Sequence, residues 1–252
     1  MSLLVLLSVL SCSAVGTLIG GRLLLVARQT RQSPELLIGT GIFAYSSVAL
    51  PSLLVMGLPG LSVGLTRAFQ LSQQAGNCVS LTATLLFTWR VFRPGAGWAR
   101  LLVGAAVALA LFASWGSVSV APSAPGATAM PAEVRPYVSI MVLVWGGAFL
   151  WTGLESLRFH AKMKKRLALG AASPVVCNRF LLWAVWGTSC FVLDLMNLAY
   201  NLAGLDFSRH PAPLITICAS CLVSSGVWYL AFFAPESYER LILARARPQP
   251  AR

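Results

Sequence analysis

The chain reads as an all-α integral membrane protein, a single bundle of seven transmembrane helices with its N-terminus outside and its C-terminus in the cytoplasm. Three observations predict this. Of 252 residues, 57% are hydrophobic and only 10% charged, with a mean hydropathy of +0.76, well above that of a water-soluble domain. Seven segments each supply the roughly 20 mainly apolar residues that a helix needs to cross a hydrocarbon core about 30 Å thick. The basic residues concentrate in alternate connections, the pattern that orients membrane helices.

The first segment, 3–26, has no basic residue ahead of it and carries Arg22, Arg28 and Arg31 at and beyond its far end. That is the signature of an N-out first helix kept in the mature protein, not of a cleaved signal peptide. The second, 36–58, holds Tyr45, Ser46, Ser47 and Pro51, and the third, 65–87, holds Gln73, Gln74 and Asn77. The fourth, 101–120, is followed by a Pro/Ala/Ser-rich stretch leading to the fifth, 137–157, with Trp145 and Trp151. The sixth is 180–202 and the seventh 214–233. One membrane domain, 1–235, is therefore expected, followed by a short basic tail, 236–252. The run APESYERLI suits a short amphipathic helix on the inner membrane surface, with Tyr238, Leu241 and Ile242 inward. No soluble catalytic or nucleotide-binding domain is attached, so any function is expected in the bundle or on a partner.

Orientation follows from the connections. Arg28 and Arg31 lie in the first, Arg90, Arg93 and Arg100 in the third, and Arg158, Lys162, Lys164, Lys165, Arg166 and Arg179 in the fifth; Arg240, Arg245, Arg247 and Arg252 lie in the tail. The other three connections carry Arg67, Arg135 and Arg209 alone. The net charge of +12 is thus a topology signal, and it argues against nucleic-acid binding because the charges sit in short juxtamembrane stretches suited to anionic lipid heads. Arg90, Arg158, Lys162, Lys164, Lys165 and Arg166 are the candidate contacts to the bilayer or to a cytoplasmic protein partner. A basic set dominated by arginine resembles the codon bias of a GC-rich bacterium, which points to a bacterial inner membrane.

Polar residues at membrane depth mark the candidate site. In DLMNLAYN, Asp194, Asn197 and Asn201 stand at i, i+3 and i+7, one face of a helix. An Asp near a helix centre costs about 2.5–3.5 kcal/mol to insert, so it is expected to face the bundle interior, protonated, hydrogen-bonded or paired with a cation. At 1.5 Å per residue Asp194 lies about 12 Å from the outer end, and Gln73, Gln74 and Asn77 lie about 12–18 Å below the same surface. Tyr45 with Ser46 and Ser47, Ser224 with Ser220 and Ser225, and Trp145 complete a polar layer in the outer half. The candidate ligand-binding set is therefore Asp194, Asn197, Asn201, Gln73, Gln74, Asn77, Tyr45, Ser224 and Trp145, with Asp194 its only strong acid. The competing reading is that these groups hydrogen-bond helix to helix and hold the fold, at about 0.6 kcal/mol each. Trp151, Trp183, Trp186 and Trp228, like Trp145, fit core packing or pocket lining, and Trp89 and Trp98 the interfacial belt. The six cysteines lie in or near apolar helices and read as small hydrophobes, the Cys218-x-x-Cys221 pair included.

Seven helices with an outside N-terminus resemble the rhodopsin and G-protein-coupled receptor architecture over the full length, in topology alone. Light-sensing rhodopsins hold retinal on a seventh-helix lysine; here the lysines Lys162, Lys164 and Lys165 all fall in a loop, so covalent retinal is excluded and no cofactor is expected. Arg90, in TWRVF, falls where receptors keep the arginine of an Asp/Glu-Arg-Tyr motif, but Trp89 replaces the acid, and APESYERLI is not Asn-Pro-x-x-Tyr. Bacterial seven-helix sensor modules carry a fused output domain that is missing. Heptahelical zinc hydrolases need several membrane histidines, whereas His160 and His210 are placed in loops; no protease or hydrolase signature is present. A non-enzymatic sensor or receptor-like bundle, with an outward-facing polar pocket for a small molecule or cation around Asp194, is therefore the leading expectation. A small proton- or cation-coupled carrier, disfavoured by a single buried acid and no visible repeat, and a structural or assembly subunit are the alternatives.

Overall fold

The computed structural model describes residues 3–58, 60–120, 131–205 and 210–246, with side chains through 244. Its helices are α1 (Leu3–Thr30), α2 (Ser33–Met56), α3 (Val63–Phe92), α4 (Gly97–Val120), α5 (Arg135–Ala168), α6 (Pro174–Leu202), α7 (Pro211–Phe232) and α8 (Glu236–Ala246), and no strand occurs among the described residues. Six of them, α1, α2, α4, α5, α6 and α7, are long and apolar enough to cross a membrane. α3 is longer than five of these at 30 residues, but Arg67, Gln70, Gln73, Gln74 and Asn77 keep it too polar to join them.

Neighbouring pairs close a ring. α1 packs on α2 and α7, α2 on α3, α3 on α4, α4 on α5, α5 on α6 and α6 on α7, while α3 also crosses the interior to reach α5. Directions alternate: the α1–α2 contacts pair Gly16 with Ser46 and Gly20 with Phe43, and α6–α7 pairs Trp183 with Phe232 and Met196 with Thr216. One end of the bundle thus gathers Arg28, Arg90, Arg93, Arg100 and Arg158, and is called the arginine-rich end below.

Helices in lipid gain little from burying apolar faces against one another, so close packing through small residues takes over. A Cβ on Gly20 would lie 2.7 Å from the Phe43 nitrogen, and one on Gly187 of α6 would lie 2.8 Å from the Phe149 carbonyl of α5. α5 and α6 form the most extensive pair in the bundle.

α2 does not run regularly. Residues Tyr45–Ala49 form a π-turn in which the Leu50 amide donates to the Tyr45 carbonyl, five residues back. Pro51 explains the irregularity, because it has no N–H and its ring crowds the carbonyl four residues earlier. The wider turn sets the azimuth of Tyr45 apart from that of the helix below it.

The arginine-rich end differs from the sequence expectation. The expected basic loop after the fifth segment is largely helix: α5 runs on to Ala168 and α6 begins at Pro174. Arg158, His160, Lys162, Lys164, Lys165 and Arg166 therefore sit on the last turns of α5, not in a loop. The cause is local. Ala161 to Ala168 consists of strong helix formers, and cations in the last turns oppose the helix dipole. Gly170, at φ +70, ends the helix: the Ala171 amide donates to the Arg166 carbonyl at 2.9 Å and the Gly170 amide to the Leu167 carbonyl at 3.0 Å, a Schellman closure that only a left-handed residue permits. His210 immediately precedes α7.

The tail begins as a helix, as expected, but its apolar residues do not share one environment. The Asn178 side-chain amide of α6 donates to the Tyr238 hydroxyl at 2.8 Å, Ile242 is half-buried and Leu241 is exposed. Residues 121–130 of the Pro/Ala/Ser-rich stretch, together with Arg209, Arg247, Arg252 and the Arg245 side chain, lie outside the described residues.

A second buried acid corrects the expectation of a single one. Glu155 of α5 is 2% exposed, and its Oε1 receives Arg93 Nη2 at 2.9 Å, Arg93 Nε at 3.0 Å and Arg158 Nη1 at 2.9 Å. One turn away, the Thr88 and Thr152 hydroxyls meet at 2.7 Å. Arg158 is thus committed to Glu155 within its own helix, although its side chain stays 60% exposed. Arg90 is exposed at the end of α3.

Candidate functional site

Away from the arginine-rich end, the ring encloses a cavity of about 570 Å³ lined by all seven of its helices, α1 through Val9 and Cys12 and α4 through Ala113 and Ser117. This volume lies within the usual range of small-molecule sites, roughly 300–1,000 Å³. Eight of the nine predicted ligand-binding residues line it: Asp194, Asn197, Gln73, Gln74, Asn77, Tyr45, Ser224 and Trp145.

The periodicity of each helix delivers these groups. On α3, Gln73, Asn77, Ser80 and Thr84 follow one another at spacings of three and four and share the inner face. On α6 the same rule takes Trp186 to Cys190, Leu193 or Asp194, and Asn197. On α5 it runs from Val138 through Met141 and Trp145 to Phe149. The polar face of α3 thus turns toward the interior.

Asp194 sits where α6 crosses α5 at Gly146. A Cβ on Gly146 would lie 3.4 Å from Asp194 Cβ and 3.9 Å from its Oδ2, so the glycine makes room for the acid. Asp194 Oδ2 is buried without a hydrogen-bond partner, and no described side chain forms an ion pair with the carboxylate. Gln74 is held in place: its Nε2 donates to Ser117 Oγ at 3.3 Å and its Oε1 accepts from Ser114 Oγ at 3.4 Å. Ser224 lies 3.9 Å from the Cys190 sulfur.

Asn201, the ninth residue, is engaged elsewhere. Its amide donates to the Arg135 carbonyl at 3.1 Å and to Ser139 Oγ at 2.8 Å, tying the end of α6 to the start of α5. It shares the face of Asp194 but stands beyond the cavity, beside the first turn of α5, where the Arg135 carbonyl has a second lone pair to accept with. The flanking serines divide similarly. Ser220 lines the cavity, whereas Ser47 donates to the Phe43 carbonyl of its own helix and Ser225 to that of Cys221; the Ser46 carbonyl accepts from Ser13 at 2.6 Å.

Sequence reasoning left open an aromatic wall, which the fold makes continuous. Tyr45 and Trp145 stand 6.2 Å apart between ring centroids, Trp145 stacks on Phe149 at 5.2 Å, Phe149 meets Trp186 edge-on at 5.2 Å, and Trp186 meets Trp228 at 6.1 Å. All five rings line the cavity. The Trp186 and Trp228 ring nitrogens are buried without an acceptor. Trp183 and Trp151 pack outside it, against Phe232 and Trp98 respectively. Extending the Asp194 face two turns back along α6 would have found Trp186. The partnership of Trp145, Phe149 and Trp228 depends on which helices adjoin, which one helix's spacing does not contain.

All six cysteines are free; Cys12, Cys190 and Cys221 line the cavity and Cys218 packs into the apolar core. No group of three or more His, Cys, Asp or Glu side chains suited to a metal ion occurs among the described residues. The chain matches no protein-family profile and no curated protein.

Proposed function

We propose that the chain is a non-enzymatic, receptor-like sensor of a bacterial inner membrane, which binds a small molecule in the cavity around Asp194 and answers through its arginine-rich end. In this reading the protein spans the membrane seven times with the N-terminus outside. Two arguments support the seventh span. α3 lies in the ring between α2 and α4, and Gln73, Gln74 and Asn77 line the cavity, so three of the groups that lower its hydropathy face the interior and not lipid. The gathering of arginines and lysines at one end favours that end as cytoplasmic, which makes the cavity extracytoplasmic. At the arginine-rich end, Lys162, Lys164, Lys165 and Arg166, all exposed on the α5 extension, form the surface offered to anionic lipid or a cytoplasmic protein.

The observation that carries the proposal is the unpaired carboxyl of Asp194 in a cavity of small-molecule size. A polar group kept solely for helix packing would be expected to have a partner, as Asn201 and Gln74 do. The test is a thermal-stability screen of purified protein in nanodiscs against a chemically diverse small-molecule set. Compounds that raise the Tm of wild type, and lose that effect in both Ser224→Phe and Asn197→Leu, establish a cavity ligand. A screen in which no compound separates wild type from the two variants refutes the receptor reading.

A further inference from the structure

We infer that the ligand class of this cavity is an organic ammonium ion carrying an apolar body, held by Asp194 and the aromatic wall. The inference rests on the receptor reading above and narrows it.

Charge comes first. Of all the residues lining the cavity, Asp194 alone carries a formally charged side chain, and neither lysine, arginine nor histidine is among them. An anionic ligand would meet a carboxyl with no counter-charge and is disfavoured. A neutral ligand would leave the acid either charged and desolvated or protonated, without an ionic partner in either case. A cation supplies that partner and offsets the desolvation of the charged form.

The surroundings then select the kind of cation. A bare alkali or alkaline-earth ion is a hard acid that needs six or more converging oxygens. Here a single carboxylate stands in walls that are mostly carbon, no group of three or more His, Cys, Asp or Glu side chains suited to a metal ion occurs among the described residues, and of the four amides lining the cavity Gln74 is already committed to Ser114 and Ser117. An alkylated ammonium has the opposite requirement: its charge is spread over carbon-bound hydrogens, and aromatic faces within about 6 Å attract it. Tyr45 and Trp145 stand at the level of Asp194, since Gly146, the acid's neighbour across the α5–α6 contact, directly follows Trp145. Below them, Phe149, Trp186 and Trp228 continue the wall for two turns of α6, about 12 Å from Trp186 to Asp194 at 1.5 Å per residue. A ligand with its ammonium at Asp194 and its apolar body laid toward Trp186 and Trp228 uses both parts. The unpartnered indole nitrogens of those two tryptophans add donors for a hydroxyl, ether or carbonyl at the far end of that body.

The test uses a graded series of quaternary ammonium ions, tetramethyl- to tetrabutylammonium with choline and benzyltrimethylammonium, beside 3,3-dimethylbutan-1-ol, the neutral isostere of choline. Full-length protein in nanodiscs is titrated with each, reading tryptophan fluorescence and Tm. At least one cation is expected to saturate both signals where choline's neutral isostere does not. Asp194→Asn, which keeps the shape and removes the charge, is expected to weaken that cation at least tenfold. Trp186→Leu is expected to weaken it about three- to thirtyfold, while Trp186→Phe, which keeps an aromatic face, stays closer to wild type. If no cation in the series binds while neutral compounds still bind in a manner abolished by Ser224→Phe, the cation inference is overturned and the receptor reading stands. If nothing binds the cavity, both fall. Equal binding of choline and its isostere, or an unchanged Asp194→Asn affinity, also overturns the inference.

Discussion

The Glu155 cluster yields an asymmetry that can be measured. Glu155 is 2% exposed, whereas the side chains of Arg93 and Arg158 are 38% and 60% exposed. Glu155→Gln removes the buried charge and lets both guanidinium groups return to water. The loss is then that of charge-assisted hydrogen bonds, partly offset by rehydration, about 1–3 kcal/mol. The double variant Arg93→Ala with Arg158→Ala does the reverse and leaves the carboxylate buried without a partner, a change that costs about 3–5 kcal/mol. Adding Glu155→Gln to that double variant removes the stranded charge, so the triple variant is expected within about 1 kcal/mol of Glu155→Gln alone. Reversible unfolding in mixed micelles, titrated with SDS, gives the three values. If Glu155→Gln is as damaging as the double variant, or the triple variant shows no recovery, the carboxylate is not what the arginines are there to neutralise, and the reasoning fails.

Other predictions test the packing and the site separately. Gly20→Ala places a methyl against the Phe43 backbone and is expected to lower stability by about 1–3 kcal/mol, whereas Gly104→Ala, whose Cβ meets nothing within 4 Å, leaves the unfolding midpoint unchanged or slightly raised. Asn201→Ala removes the two hydrogen bonds to Arg135 and Ser139 and is expected to cost about 1–2 kcal/mol with cavity-ligand affinity unchanged; an affinity loss would place Asn201 in the site after all. Pro51→Ala restores an amide that can bond four residues back, regularises the π-turn and turns Tyr45 away from Trp145. Ligand affinity is expected to fall about tenfold or more, with the midpoint of unfolding held or raised.

What the sequence made legible was whatever one helix determines alone. The polar faces of Asp194 and Asn197, and of Gln73 and Asn77, follow from 3.6 residues per turn, and antiparallel threading then placed both sets at one depth. Tyr45 was identified as polar at depth, although its direction depends on a π-turn that Pro51 explains only after the fact. Asn201 satisfies the same spacing as Asp194, yet the Arg135 carbonyl and the Ser139 hydroxyl engage it, because the first turn of α5 packs beside the last turn of α6. Glu155 escaped because it lies near the apparent end of an apolar segment, where an acid looks like part of a solvated loop. Its burial comes from Arg93, the residue that follows α3, and from the continuation of α5 past residue 157. The same continuation moved the lysines from loop to helix, since hydropathy marks where lipid ends and not where a helix ends.

The two buried acids meet α5 at two levels: Asp194 of α6 lies against Gly146, and Glu155 stands on α5 itself nine residues further on. Trp145 and Phe149 of this helix form cavity wall, Thr152 bonds to Thr88 one turn further, and Glu155 joins Arg93 one turn beyond that. From Phe149 to Glu155 is six residues, about 9 Å of one rigid rod, and both intermediate contacts reach the same partner, α3, whose other end supplies Gln73 and Asn77 to the cavity. A ligand that changes how α5 seats on α3 must therefore act on the Glu155 cluster, and on the receptor reading this is the route from cavity to arginine-rich end. Linkage makes the claim testable from either side, because coupling of binding free energies is reciprocal. Glu155→Gln is expected to shift cavity-ligand affinity about five- to a hundredfold although it touches no cavity residue, and saturating ligand is expected to shift the stability cost of Glu155→Gln by the same free energy. Ligand affinity identical in wild type and Glu155→Gln would show that the two acids act independently, and would leave Glu155 a local clamp between α3 and α5.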